Sequence, residues 1–237
     1  MTNEELIRKY VPLNKQEDAF KKLENGYPVQ YIIGNVDFNG INIEVNEDVL
    51  IPRFETELLV DKVKKYVDKV FGDTRISIMD LCTGSGAIAI YLKKNCNAIV
   101  SGCDISLKAL DVAKKNALNN KVLVNFVEHD VLNPIDGKYD VIVSNPPYVG
   151  FDEEVDELTK YEPQMAIFAD DNGLLFYKSI LDYIDNNLNR KYIIAFEIGY
   201  EQGNYLKELA LTKFPDASVS VEKDLTGKDR YLFIIKE

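Results

Sequence analysis

Histidine and cysteine are scarce in this chain of 237 residues, and the scarcity narrows the chemistry open to it. A single histidine, His129, cannot build a His-rich metal site, and neither an HExxH nor a Ser-His-Asp framework accompanies it; no metal is expected, and His129 reads as structural. The three cysteines, Cys82, Cys96 and Cys103, form neither a CxxC pair nor a disulfide framework, which suits a reducing compartment. No apolar run approaches the ~18–20 residues of a membrane span. The opening stretch, Met1-Thr-Asn-Glu-Glu, lacks a signal peptide's basic and apolar regions. A cytoplasmic protein without membrane contact is expected. Positive charge is short too: 28 Lys and Arg against 39 Asp and Glu leave a net charge of −11. That balance argues against stable, non-specific nucleic-acid binding and leaves room for a basic protein partner. Internal repeats and low-complexity segments are absent.

What is present is an ordinary globular composition, 46% hydrophobic and 28% charged, in a length that fits one full domain plus a small appendage. Residues Glu4 to Tyr10 and Lys15 to Asn25 read as two short helices, too little to fold alone. Val36-Asp-Phe-Asn39-Gly40-Ile-Asn-Ile43 is a hairpin signal, with Asn-Gly supplying the two positive φ angles of a type I′ turn. A helix then opens after Ile51-Pro52-Arg53 and runs to about Val70, with Leu58, Leu59, Val63, Tyr66, Val67 and Val70 as its apolar stripe. Arg53 is either a cofactor or substrate clamp or a partner for the acids of that helix's first turn. From Ile76 onward strands and helices alternate. Strands are expected at Ile76–Leu81, Ala98–Asp104, Val122–Glu128, Tyr139–Ser144 and Tyr192–Glu197. The helices between and after them are Ala87–Asn95, Ser106-capped to Asn119, Gly173–Asn187 and Gln202–Thr212. Two final strands, Ser218–Glu222 and Arg230–Lys236, have no helix between them. This pattern predicts an α/β, mostly parallel, doubly wound sheet of seven strands closed by an antiparallel hairpin. Residues Gly150 to Asp171 form a long acidic loop, a candidate lid.

Two stretches carry chemistry. Asn145-Pro146-Pro147-Tyr148 ends the apolar run Tyr139–Ser144, and its prolines stop the strand and keep the exit extended. By itself Asn-Pro is a turn signal. In this setting it offers the Asn145 carboxamide and the Pro146 carbonyl as acceptors beside the Tyr148 ring, which suits a planar group bearing an NH2. The second stretch, Asp80-Leu-Cys82-Thr83-Gly84-Ser85-Gly86, lies between the first strand and its helix, where small residues let a ligand approach the helix N-terminus. Asp104, 18 residues past Gly86, ends the next strand and can bind ribose hydroxyls; Asp130 ends the third and can accept from an adenine amine. Gly84-Ser-Gly86-Ala-Ile-Ala89 also fits a dinucleotide fingerprint, a weak signal by itself. Asp80 would face a pyrophosphate's charge, whereas a cationic sulfonium cofactor without phosphate welcomes acids. Charge therefore selects S-adenosylmethionine over NAD.

Together these residues resemble the class I S-adenosylmethionine-dependent methyltransferases, and more narrowly the HemK/PrmC family of release-factor glutamine methyltransferases. The likeness covers roughly Gly26 to the C-terminus. It rests on Pro28-Val-Gln30-Tyr31-Ile-Ile-Gly34, Ile51-Pro52-Arg53-Phe54-Glu55-Thr56-Glu57, the Asp80–Gly86 loop, Ser144–Tyr148, Tyr161-Glu162-Pro163 and Gly227-Lys228-Asp229-Arg230. Cys82 stands where the family usually has glycine, Phe54 replaces a usual proline, and the N-terminal helical region looks reduced.

The resemblance implies a Rossmann-like methyltransferase domain over residues 49–237 and a reduced helical and hairpin substrate-binding region over 1–48. It implies methyl transfer to the side-chain amide nitrogen of the glutamine in the Gly-Gly-Gln motif of peptide-chain release factors, leaving S-adenosylhomocysteine. Asn145, Pro146, Pro147 and Tyr148 would carry catalysis and hold substrate, with Arg53 nearby. Asp80, Cys82, Thr83, Gly84, Ser85, Gly86, Asp104, Ile105, Asp130, Val131 and Asn145 would hold the cofactor. A monomer is expected. Methylation of a ribosomal-protein glutamine, of an exocyclic amine in nucleic acid, and a non-catalytic cofactor-binding module are the alternatives.

Overall fold

The computed structural model describes residues 1–237, except for the side chain of Leu158. Helices α1 (Asn3–Tyr10), α2 (Gln16–Glu24) and α3 (Val29–Ile33) come first. Thr2 and Glu5 close a reciprocal capping box on α1, each side chain accepting from the other's backbone N–H. Helix α3 is absent from the sequence-based expectation. It is five residues long, too short for a period to show, and is bounded by Pro28 before it and by Gly34 at φ 79° after it. The expected hairpin follows as β1 (Asn35–Phe38) and β2 (Ile41–Glu44), with Asn39 and Gly40 both at positive φ. Its tip is pinned to the next helix, α4 (Phe54–Phe71), by Asn39 donating to the Glu57 carbonyl at 3.1 Å.

The remaining chain forms β3 (Ile76–Leu81), α5 (Ala87–Asn95), β4 (Ala98–Asp104), α6 (Leu107–Asn119), β5 (Asn125–Glu128), β6 (Tyr139–Ser144), α7 (Asp170–Gly173), α8 (Leu175–Tyr183), β7 (Leu188–Glu197), α9 (Gly203–Lys213), β8 (Ser218–Lys223) and β9 (Asp229–Lys236). Seven strands lie in the order β5-β4-β3-β6-β7-β9-β8, parallel except for β9, which runs antiparallel to both neighbours. The expected sheet and its closing hairpin are both there. Strand β5 starts three residues later than expected because Lys121, at φ 57°, and Val122 turn back to the Leu118 and Ala117 carbonyls and finish α6. The candidate lid is not featureless either. It contains 3₁₀ turns at Glu157–Tyr161 and Gln164–Ala166, and bridges back onto the sheet exit through Val149 and Phe168.

Alternation along the strands divides the core into two layers. Ile78, Val141, Val143, Ile193 and Ala195 face α4, α5 and α6, where Leu59, Val63, Ile88 and Leu92 are buried with them. Met79, Ile142, Ile194 and Phe196 face α8 and α9, against Tyr177, Ile180 and Leu206. The hairpin contributes Phe38, Ile41 and Ile43 to the first layer and α3 contributes Tyr31, whereas the other buried residues of α1 to α3 form a small satellite cluster around Ile7, Ala19 and Val29. The chain leaves β3 toward β4 on one side and β6 pairs on the other, so β3 and β6 flank the point where the winding reverses. Leu81 and Ser144 end the two strands in register, and the loops that carry Cys82 and Asn145 therefore start side by side.

Candidate active site

A cavity of about 510 Å³ opens at these strand ends. Cys82, Gly84, Asp104, Ile105, Asp130, Val131, Asn145 and Pro147 all line it, as does His129 at the same edge. Asp104 shapes the wall as well as facing it: its Oδ2 accepts from the Gly84 N–H and its Oδ1 from the Ser106 N–H, both at 2.9 Å. Burial pushes the Asp104 carboxyl above the usual carboxylate range, opposed by these backbone bonds. Each of its oxygens retains a second lone-pair direction for a ligand hydroxyl. Asp130 is held in an Asx-type turn by the Leu132 N–H at 3.0 Å.

Asp80, Thr83, Ser85 and Gly86 lie behind this wall rather than in it. Asp80 is fully buried, and its Oδ2 accepts from the Thr83 hydroxyl and, at 3.2 Å, from the Ala89 N–H of α5. Its carboxyl thereby ties the strand end to the first turn of the helix and fixes the course of the loop. Cys82 adopts φ 57°, the left-handed region that favours glycine. Its thiol is pushed well up by burial and then by the Asp104 charge.

A second, smaller cavity of about 190 Å³ adjoins the first, lined by Arg53, Asn145, Tyr148, Val155, Thr159 and Glu197 among others. Asn145, Leu50 and Ala166 belong to both walls, so the asparagine stands at the junction. Its Nδ2 donates to Thr56 Oγ1 at 3.1 Å, and the Thr56 hydroxyl donates to Glu197 Oε2 at 2.7 Å. Tyr148 reaches the other oxygen of Glu197 at 3.4 Å. Burial, first of all, raises the Glu197 carboxyl to about 7. Pro146 and Pro147 are buried between these groups. The backbone exit is held by Gln202, whose Nε2 donates to the Tyr148 carbonyl at 2.9 Å. Gly173, at φ 78°, passes so close that a Cβ there would sit 1.9 Å from that carbonyl oxygen.

The partner of Arg53 is neither acid of the α4 first turn. Its guanidinium pairs with Glu162, more than a hundred residues on, whose other oxygen accepts from the Ile51 N–H at 3.4 Å. This pair straps the Ile51–Arg53 segment to the long loop across the small cavity. That loop also contributes Phe151 and Phe168, stacked at 5.5 Å on the wall of the large one. Sequence reasoning named no role for Thr56, Glu197, Gln202, Phe151 or Phe168. Glu197 had a signal, since it is an acid closing the otherwise apolar run Tyr192–Phe196; the other four gain their roles only through the fold.

The family description Methyltransferase small domain matches residues 54–163. The chain is 42% identical to the release factor glutamine methyltransferase of Lactococcus lactis over 221 residues, covering 92% of this chain and 80% of that protein. It is 43% identical to the Bacillus subtilis protein of the same description over 215 residues, covering 87% of this chain and 75% of that one. Among solved structures, the protein-(glutamine-N5) methyltransferase (release factor-specific) of Alicyclobacillus acidocaldarius matches at 26% identity with a TM-score of 0.50, over 82% of this chain and 99% of that one. With the sheet order, the paired cavities and the Asn-Pro-Pro-Tyr exit already in place, these likenesses mean that the chain belongs to the release factor glutamine methyltransferase family.

Proposed function

We propose that this protein transfers a methyl group from S-adenosylmethionine to the side-chain amide nitrogen, N5, of the glutamine in the Gly-Gly-Gln motif of peptide-chain release factors. The observation that carries the reading is Asn145 at the junction of the two cavities, one large enough for a nucleoside cofactor and the other sized for a side chain. The large cavity fits a cationic cofactor: Glu47, Asp48, Asp104 and Asp130 line it, with Lys108 as its one ammonium group, and Lys108 is paired to Asp48 at 3.3 Å. Asp104 would hold the ribose, Asp130 and Val131 the adenine, and Cys82 and Gly84 the methionine portion, with Asp80, Thr83, Ser85 and Gly86 shaping the loop from behind. When bound, S-adenosylmethionine supplies an electrophilic sulfonium methyl.

The chain's own part is alignment. A glutamine amide is a poor nucleophile because its lone pair is delocalised. Asn145 Oδ1 and the Pro146 carbonyl accept the two amide protons, turning a face of the nitrogen toward the large cavity, and Tyr148 packs beside the planar group. Such positioning by fixed dipoles is worth several kcal/mol. A methylated amide nitrogen would be cationic and strongly acidic and would lose its proton to water, so no histidine base would be required.

We assign residues 1–48 a part in holding the substrate, with 49–237 as the methyltransferase domain. In support, the N-terminal segment touches the loop beside the small cavity: the Tyr27 and Tyr161 rings lie 5.1 Å apart, and the Tyr161 hydroxyl donates to the Asn25 carbonyl at 2.9 Å. The test uses purified protein, methyl-labelled S-adenosylmethionine and bacterial release factors with and without the Gly-Gly-Gln glutamine, read by mass spectrometry. A single methyl on that glutamine is expected, absent when the glutamine is replaced. No transfer, or label that persists after replacement, would overturn the reading and direct the same assay to ribosomal proteins and nucleic acids.

A further inference from the structure

An asparagine carboxamide has an accepting end and a donating end, and only the accepting end can hold a substrate NH2. Rotated by half a turn, Asn145 would meet the incoming amide donor to donor. The groups behind it decide which end faces the small cavity. Asn145 contacts the Thr56 hydroxyl at 3.1 Å, and Thr56 contacts Glu197 at 2.7 Å; both Thr56 and Glu197 are buried. An ionised carboxylate offers acceptors alone, so the single Thr56 hydroxyl proton is committed to Glu197. What Thr56 then presents to Asn145 is a lone pair, which demands an N–H. The carboxamide oxygen must turn the other way.

From this geometry, and resting on the glutamine-methylation reading, we propose that Thr56 and Glu197 are positioning residues: they set the Asn145 carboxamide with its oxygen toward the substrate amide, while Glu197 also anchors Tyr148. None of the three positions is near another in sequence; α4, the β6 exit and the end of β7 bring them together. The relay has a defined failure. A protonated Glu197 can donate to Thr56, which can then donate to Asn145 Oδ1 and leave the NH2 end facing substrate. Burial raises the Glu197 carboxyl to about 7, with the Thr56 hydroxyl and the Arg230 charge opposing and the Glu55 charge adding to the rise. The titratable and charged groups facing Glu197 are therefore Glu55 on α4, Arg230 and Tyr231 on β9, Tyr177 on α8, and Tyr148 itself. The direction of the relay thus changes near neutral pH.

The test compares wild type, Thr56→Val, Thr56→Ser and Glu197→Gln in the full chain. With release factor as substrate, Thr56→Val should lower kcat on the order of 10²-fold, as a misplaced catalytic group does, without a comparable change in KM or in the Kd for S-adenosylhomocysteine. Thr56→Ser, which restores the hydroxyl, should recover the rate. The wild type should lose kcat as pH drops through about 7, and Glu197→Gln, which keeps the volume, should abolish that fall. A second readout needs no substrate: in protein labelled with ¹⁵N-asparagine, the Asn145 side-chain resonances should shift and broaden in Thr56→Val and return in Thr56→Ser. A wild-type kcat in Thr56→Val, a Thr56→Ser variant as slow as Thr56→Val, or carboxamide resonances unchanged by Thr56→Val would each overturn the proposal. If Thr56→Val does not fold, the pH profile of Glu197→Gln decides. If the wild type does not methylate the glutamine at all, the functional reading fails, and the side-chain resonances still decide the relay.

Discussion

Two carboxyl groups in this protein look alike and work differently. Asp80 closes β3 and Glu197 closes β7; both are buried, both are raised to about 7 by burial, and each accepts a hydroxyl proton from a threonine. For Asp80 the threonine is three residues away, in the loop the carboxyl itself stabilises. For Glu197 it is 141 residues away, and Tyr148 occupies the second oxygen from a third part of the chain. Asp80 leaves its Oδ1 without a hydrogen-bond partner among the described residues. One carboxyl therefore braces the Cys82–Gly86 loop locally, at the cost of an unsatisfied atom. The other is fully satisfied and ties together three segments that meet only in the folded state.

If the two ends of the site are separable in this way, a change at the substrate end should remove chemistry and spare the cofactor. Asn145→Ala is the sharpest case. Turnover should fall by roughly 10²- to 10³-fold, the scale seen when a preorganised hydrogen-bonding group is lost at a reacting centre, while S-adenosylhomocysteine still binds in calorimetry. Near-wild-type turnover would break the division and the mechanism with it.

The same contrast explains what could be read from sequence. The alternation of strands and helices, the Asn39-Gly40 turn, the Ser106 cap and the final hairpin were legible because each is a local pattern, set by residues within a few positions of one another. Cys82, Gly84, Asp104 and Asn145 were legible for the same reason, as loop residues at strand ends. The role of Thr56 was not legible within Ile51–Glu57, because nothing in its neighbourhood announces Asn145 or Glu197. The ion-pair partner of Arg53 was not legible for a like reason: Glu162 lies in a loop whose path the sequence does not specify, and the pair leaves Arg53 on the wall of the small cavity. Asp80 shows the converse limit. It was legible as an acid beside the loop, but whether it faced the cavity or the helix behind it depended on packing.

The next largest effect separates the two carboxyls by pH. Folded Asp80 keeps its proton up to about pH 7, whereas its ordinary value is 3.8, so between those values the folded state binds more protons than the unfolded one. Stability from this group is accordingly full below the ordinary carboxylate range and is lost as pH rises through about 7, by up to about 4 kcal/mol. Asp80→Asn should flatten the decline of urea-derived stability between pH 5 and 7.5 without changing the pH dependence of kcat, the property assigned to Glu197. A kcat profile that flattens in Asp80→Asn would erase the distinction between the two groups. Asp104→Ala, at the cofactor end, should weaken S-adenosylhomocysteine binding by roughly 10- to 100-fold, the worth of hydrogen bonds to a charged group, and leave the kcat of the saturated enzyme closer to wild type. An unchanged Kd would remove Asp104 from the site.

The smallest expected effect tests the loop that Asp80 braces. Cys82 holds φ 57° with a side chain that the left-handed region disfavours, and its neighbours in the loop are fixed from behind by Asp80 and from the side by Asp104. Over most of a protein, replacing alanine by glycine destabilises, because glycine loses more backbone freedom on folding. At this position the order should invert. Cys82→Gly and Cys82→Ala both give up the packed thiol, so the difference between them isolates the backbone, and Cys82→Gly should be the more stable by about 1 kcal/mol. Urea unfolding of the two variants at one pH measures the difference. A more stable Cys82→Ala would mean that the loop relaxes out of the left-handed region once the thiol is gone, and that Asp80 does not hold it as rigidly as Glu197 holds Thr56.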